Sequence, residues 1–474
     1  MSRPATPTSF ARIAIWVSLA LALFLAARLL PAVPGLNARS QAVIGVAFAG
    51  AVLWMSEAVP LGLTAVIVLA LLGLTPYSPP SAAFAGFASP TVFFLFGALA
   101  LGQAVERTGL AARAARLLLR GARGSAGRLY WQMLLGFPPL AFLIPSAITR
   151  NALLVPAYEA SLREMGQPRG SRAARATMQA LGVLNPLAST ALLTGGTTAM
   201  ATATLLGGFT WFRWFALLAL PYYLLLFAGG FLLWTILGRD SIPREPVTHK
   251  PAPPASSDAT SGPLTPAERR TLVVLGLTAA LWFSDAWHHL SPAIPALIGA
   301  ALLLAPGIGV LTWKEFESKV SWSMLLTVGA SLSLAAAMTE SGAAAWLGQG
   351  VVTILAVVGQ QPLVVVGTLI LLTAAIHLAI TNLAACVALL VPIAVGIGAN
   401  AGVNPTVCAL AVMITIDAVI LYPVQTASNL IAYEAGSFDA ADVRRLGLAM
   451  LLLVLLVVLG IAVPYWGMVG LALR

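Results

Sequence analysis

Apolar runs long enough to cross a bilayer recur along the whole chain, separated by short polar or basic stretches; Ile13 to Ala27, Val92 to Val105 and Trp214 to Leu237 are examples. The first run follows Arg3 and Arg12 and ends in the small residues Ala26 and Ala27, as a secretory signal would. Eleven further hydrophobic blocks follow it, so residues 1–40 are expected to form a retained signal-anchor span. Within this apolar background, two stretches break the pattern in the same way. ITRNALLVP at Ile148 to Pro156 and ITNLAACVALLVP at Ile380 to Pro392 each set polar side chains inside an apolar run and close on Leu-Val-Pro. In hydrocarbon such an interruption costs several kcal/mol unless it lines a protein-enclosed or wet cavity, so each predicts the tip of a re-entrant helical hairpin. The hairpins are expected at about 129–162 and 357–398, each followed by a broken helix, at 177–206 (interrupted at Thr194-Gly195-Gly196) and at 405–431.

The two halves match. LWMSEA at Leu53 and LWFSDA at Leu281 lie 228 residues apart. A constant shift of 232 then pairs Gly97 with Gly329, Thr149 with Thr381, Thr194 with Thr426, Arg213 with Arg445 and Trp234 with Trp466. A Pro- and Ser-rich basic segment, 239–268, reads as a cytoplasmic linker between repeat 1 at 41–238 and repeat 2 at 269–474. With the amino terminus in the cytoplasm, five spans separate the repeats and invert the second copy. The Arg-rich loops then fall inside, and the charge-free loop Pro76 to Pro90 falls outside. Glu106 to Arg128, with Leu110, Ala114, Leu117 and Leu118 on one helical face, predicts a helix lying in the headgroup region.

Composition narrows the class. Of 474 residues, 59% are hydrophobic and 9% charged, which excludes an ordinary soluble globule and gives an all-α polytopic membrane protein. The net charge of +10 comes from arginines scattered between spans, an orientation signal with no nucleic-acid surface. Cys386 and Cys408, both in apolar sequence, leave no disulfide framework and no thiolate cluster. Intramembrane enzymes are disfavoured by the lack of an HExxH, of paired aspartates at catalytic spacing and of a Gly-x-Ser with a partnered His. Glu57 and Asp285, in the two LW-S-acid motifs, are expected to cap the spans that follow them, and the tryptophans to anchor span ends at the interface.

Three motifs carry a resemblance: WMSEAVPLGLTA from Trp54, ITNLAACVALLVP from Ile380 and PVQTASNLI from Pro423. Over residues 41 to 470 the chain resembles the divalent anion/sodium symporters of the ion transporter superfamily. The resemblance implies about eleven transmembrane helices in two inverted repeats, and an elevator in which a transport domain moves past a homodimeric scaffold. It also implies sodium-coupled carriage of a di- or tricarboxylate or sulfate, in the lipid of a bacterial inner membrane. The chain departs from the family at the first tip, where Thr149-Arg150-Asn151 replaces Ser-Asn-Thr, and at the second, Thr381-Asn382-Leu383, which lacks the last hydroxyl.

The substrate set implied is Thr149, Arg150, Asn151, Thr381, Asn382, Thr194, Gly195 and Thr426. Sodium is assigned to oxygens of Ser146, Thr149 and Leu193 in the first half and of Thr381, Asn382 and Gln425 in the second. Arg150 opposes a cation beside it, so the second-half site is the one expected to survive. Arg150 itself either meets the anionic substrate directly, snorkels to a vestibule or pairs with an acid. Asp417, opposite Asn185 by the 232 shift, accepts a proton, ligates sodium or neutralises Arg150; His377 titrates or is simply hydrogen-bonded. Proton coupling and an arsenite-permease-type oxyanion exporter stay open as alternatives.

Overall fold

The computed structural model describes residues 10–31, 33–56, 58–75, 80–120, 124–207, 209–238, 262–355, 361–378 and 383–474. Every regular element among the described residues is helical. Four helices are each long and apolar enough to cross a bilayer: Ala11–Leu29, Trp211–Ile236, Trp322–Ser341 and Ala440–Met468. Pro80–Ala88 and Pro90–Thr108 add a pair bent by 42°, and seven further apolar helices among the described residues are 10–17 residues long. The protein is thus an all-helical, polytopic integral membrane protein.

The first polar interruption forms a helix–turn–helix. Ala126–Leu143 runs to a break at Ile144-Pro145-Ser146, and Ala147–Glu164 leaves it. Pro145 turns the chain out of helix, because a residue preceding proline disfavours the α region. Ser146 restarts the helix by accepting the Thr149 backbone N–H (3.2 Å). In the second half Pro362–His377 and Leu383–Ala401 flank the corresponding position, and the tip residues Thr381 and Asn382 lie outside the described residues. Helical segments separated by short gaps follow in each half. Arg172–Gln179, a π-turn at Ala180–Leu184 and Asn185–Thr190 lead to a gap before Thr197–Leu206, and Pro405–Ala418 leads to a gap before Ala427–Glu434.

Packing crosses between the halves. Ala147–Glu164 lies against Ala427–Glu434, and Leu383–Ala401 lies against Thr197–Leu206, so each hairpin's exit helix meets the short helix beyond the other half's break. Small residues let helices from the two halves approach closely. A Cβ on Gly86 would sit 2.2 Å from the Gly329 carbonyl oxygen, and one on Gly97 would sit 2.6 Å from the Ala296 carbonyl carbon. At the loop helix Trp313–Lys319, the Thr312 backbone N–H, the Thr312 hydroxyl and then Arg107 hold the Glu315 carboxyl below its usual range.

Leu110–Arg120 packs against both limbs of the first hairpin; Leu110, Ala111 and Ala115 are buried, Leu118 lies over Gly136 and Leu117 is 61% exposed. Three local expectations change. Arg113 on that helix pairs with Glu268 (2.9 Å), and the second-half helix begins at Pro266 behind a Thr265 capping box, within the expected linker. Asp285 caps a helix other than its own span: its carboxylate accepts the Phe212 backbone N–H (3.1 Å) at the start of Trp211–Leu233. Glu57 lies outside the described residues. Trp54, Trp211, Trp214 and Trp466 are fully enclosed by protein and not turned outward as anchors; Trp466 donates its indole N–H to the Leu217 carbonyl (2.8 Å).

If the Gly86–Gly329 approach holds the halves together, Gly86→Ala lowers the melting temperature in detergent by several degrees, at a cost of about 1–3 kcal/mol. Gly73→Ala, whose added methyl meets no atom within 4 Å, leaves it unchanged or slightly raised. Thermal melts of the two variants check this.

Candidate functional site

Arg150 sits one turn into Ala147–Glu164 and is completely buried. Burying a guanidinium at membrane depth costs about 2.5–3.5 kcal/mol unless its donors are met. All five N–H groups find oxygen. Nε donates to Asn185 Oδ1 (2.8 Å), Nη1 to the carbonyls of Ile144 (2.6 Å) and Pro145 (3.0 Å), and Nη2 to the Asn185 carbonyl (2.8 Å) and Ser189 Oγ (3.1 Å). None of these acceptors is a carboxylate. The guanidinium therefore clamps the hairpin turn to the first segment of the broken helix and keeps its full positive charge there.

The neighbouring residue extends the network to the other half. Asn185 Nδ2 donates to Asn151 Oδ1 (2.7 Å), and Asn151 Nδ2 donates to the Leu181 carbonyl (2.7 Å) and to the Ser428 Oγ and carbonyl (2.7 and 2.9 Å). Ser428 lies in the first turn of Ala427–Glu434, just past the second-half break. A continuous chain, Arg150–Asn185–Asn151–Ser428, thus ties the first tip to both broken helices.

What the tip offers outward is smaller. Ser146 is exposed and Thr149 half-buried, their hydroxyls 3.1 Å apart at the amino end of an 18-residue helix. At the first break Gly196 and Thr197 are half-buried, and Leu193 and Thr194 are buried. Gly195 folds the chain back so tightly that a Cβ would lie 1.6 Å from the Ser189 carbonyl oxygen, which leaves room for glycine alone. At the second break Thr426 is half-buried and caps Ala427–Glu434 by accepting the Asn429 N–H (3.0 Å). The helix amino ends at the tip and at both breaks each favour negative charge.

The remaining candidates separate. Gln425 is buried and engaged, its Oε1 accepting the Leu421 and Tyr422 N–H groups and its Nε2 donating to the His377 carbonyl (2.8 Å). His377 is buried with Nδ1 3.3 Å from Cys386 Sγ. Asp417, the penultimate residue of Pro405–Ala418, accepts Tyr222 Oη (2.6 Å) and Thr198 Oγ1 (3.2 Å) and forms no ion pair with Arg150 among the described residues. Ser189, Ser428, Thr198 and Tyr222 were not singled out from the sequence. A serine or tyrosine in an apolar run carries no local signal, and only the non-local pairing reveals it.

Replacing Asn185 by leucine strands Arg150 Nε and the Asn151 amide oxygen; the expected loss is about 2–5 kcal/mol, with a correspondingly lower melting temperature. Gly195→Ala, which forces a methyl into the Ser189 carbonyl, is expected to give misfolded or aggregated protein by size-exclusion chromatography, whereas Gly196→Ala stays monodisperse.

Comparison with known proteins agrees with this architecture. A model described as the sodium:sulfate symporter transmembrane region matches residues 12–472. A membrane protein of Cupriavidus necator is 25% identical over 82% of this chain and 77% of its own, and an uncharacterized transporter of Haemophilus influenzae 24% over 81% and 83%. A putative malate transporter, YflS, of Bacillus subtilis is 24% identical over 67% of this chain and 68% of its own. In fold, the YdaH transporter of Alcanivorax borkumensis superposes with a TM-score of 0.58 at 17% identity, covering 98% of this chain and all of that one. With a match across nearly its entire length, the chain belongs to the sodium:sulfate symporter family, the divalent anion/sodium symporters, which are membrane transporters and not enzymes.

Proposed function

We propose that the protein is a secondary active transporter that carries a small divalent anion, a dicarboxylate, tricarboxylate or sulfate, together with sodium. One observation carries this: the first hairpin tip and both broken helices are joined by a polar network that holds a positive charge, Arg150, with no carboxylate partner among the described residues, behind the hydroxyls of Ser146 and Thr149 and the helix amino end there. An anion placed at that rim gains from the fixed charge and the helix dipoles without displacing any hydrogen bond of Arg150. Thr149, Ser146, Thr197 and Thr426 supply the contacts, and Arg150 acts from behind them as a positioning and electrostatic residue. The family's description, sodium:sulfate symporter, and the name of one relative, the putative malate transporter of Bacillus subtilis, point to the same ligand chemistry.

The two halves form an inverted repeat and move as an elevator in this proposal. Recurring element boundaries support it: Leu61–Gly73 and Ala293–Leu304 start 232 residues apart, as do Pro90–Thr108 and Trp322–Glu340. So does the crossed packing of each exit helix on the other half's short helix. A proton-coupled variant has one specific observation in its favour, the buried Asp417, whose carboxylate meets only neutral hydroxyl donors among the described residues.

Uptake of labelled succinate, malate or sulfate into proteoliposomes is expected to require an inward sodium gradient and to fall at least tenfold when choline replaces sodium. A Ser146→Ala/Thr149→Val double variant is expected to raise KM several-fold with little loss of expression. Uptake that ignores sodium but follows a pH gradient, and is abolished in Asp417→Asn, would establish the proton-coupled variant instead.

A further inference from the structure

Pro266–Phe283, at the start of the second half, is gripped near both ends by elements of the first half, and each grip is a buried carboxylate. Near its beginning Glu268 meets Arg113 with both oxygens, Nε to Oε1 at 2.9 Å and Nη2 to Oε2 at 3.1 Å, while Arg113 also donates to the carbonyls of Gly262 and Pro263. Just past its far end stands Asp285, the acid of LWFSDA. Its Oδ2 accepts the Phe212 N–H (3.1 Å), and there the match stops halfway. Asp285 Oδ1 and the indole Nε1 of Trp211, the residue next to Phe212, are both enclosed by protein, and neither has a hydrogen-bond partner among the described residues.

An aromatic seam lies along the incomplete grip. Trp211 stacks on Trp282 with ring centres 6.0 Å apart and planes within 4°, and Phe283 meets Phe142 and Phe215, each at 6.0 Å. Phe142 closes the first limb of the hairpin, two residues before Ile144, and Trp211 and Phe215 open Trp211–Leu233. That helix is joined to the element that Arg150 holds, because the Trp214 indole donates to the Thr190 carbonyl (3.4 Å). Pro266–Phe283 instead packs on Ala293–Leu304 and Pro90–Thr108. The seam therefore divides the helices around the candidate site from a second group. A carboxylate at a helix amino end is well placed for its charge, yet an unmet buried oxygen keeps its desolvation cost, so this grip is weaker than its bidentate counterpart.

We propose that the two grips have different duties: Arg113–Glu268 is a fixed anchor, and Asp285 is a latch that holds the amino end of Trp211–Leu233 in the conformation described here and releases it, together with the aromatic seam, in every transport cycle. The proposal rests on the alternating-access reading above. It adds which contact between the two groups has to open and which stays closed.

Two cysteine pairs test this in the full-length protein with Cys386 and Cys408 replaced, each pair bridged in proteoliposomes by a short bifunctional methanethiosulfonate that dithiothreitol removes. Bridging Phe212→Cys to Asp285→Cys is expected to cut anion uptake at least tenfold, and reduction to restore it. Bridging Arg113→Cys to Glu268→Cys is expected to leave uptake within about twofold. Uptake that persists when the first pair is fully bridged, or an equal block by the second, overturns the assignment. Should a pair fail to fold, the labelling rate of a single Phe142→Cys by N-ethylmaleimide in detergent decides. Adding Asp285→Ala is expected to raise that rate at least fivefold, whereas Asp285→Asn, whose amide oxygen still accepts the Phe212 N–H, leaves it within about twofold. One rate for all three proteins overturns the latch. Failure of the transport reading looks different: no anion is taken up even before bridging, and the labelling comparison still stands.

Discussion

A buried charge that cannot reach water has to be met by the protein around it, and this constraint organises the centre of the molecule. Arg150 is met by five oxygens from two elements that are far apart in sequence. Meeting it fixes where the hairpin turns, where the first broken helix begins its unwinding and how Asn185 points. From Asn185 the same logic passes to Asn151, whose amide in turn has to be satisfied and finds Ser428 in the opposite half. A single ionised side chain thus ties the amino end of Ala147–Glu164 to Asn185 and, through Asn151, to the first turn of Ala427–Glu434.

Much of this was legible in the chain. An Arg and two Asn residues inside apolar runs marked the tip and the broken helix, since in hydrocarbon such residues occur only where structure or function requires them. The helix break at Thr194-Gly195-Gly196 was visible from its glycine pair, and the reason is now concrete: at Gly195 the backbone lies against the Ser189 carbonyl. The direction in which Arg150 points was not legible. Sequence alone left substrate contact, snorkelling and pairing with an acid side by side; the guanidinium pairs with no acid among the described residues and turns back onto its own turn and onto Asn185. Carbonyl acceptors such as Ile144 and Pro145 leave no trace in side-chain identity. The packing of Leu110–Arg120 on the first hairpin was not legible for a related reason, because periodicity reports an apolar stripe but not which neighbour covers it.

Closeness between halves depends on what is small as much as on what is polar. Gly86, Gly97 and Gly329 let backbone meet side chain or backbone across the interface, and within a membrane such contacts substitute for the hydrophobic driving force that water would supply. Around them, Arg113–Glu268 and Arg175–Asp442 fasten the polar ends of helices from different halves. Rigid packing at the periphery and a hydrogen-bonded centre leave the hydroxyl rim of Ser146 and Thr149 as the accessible part of the tip.

Whether that rim holds the transported anion is most directly tested by alkylating Thr149→Cys in a background with Cys386 and Cys408 replaced, using a membrane-impermeant maleimide on oriented vesicles. The account predicts labelling that saturating substrate with sodium slows at least fivefold, and that sodium with an untransported anion does not. Labelling at an unchanged rate under all conditions would contradict it.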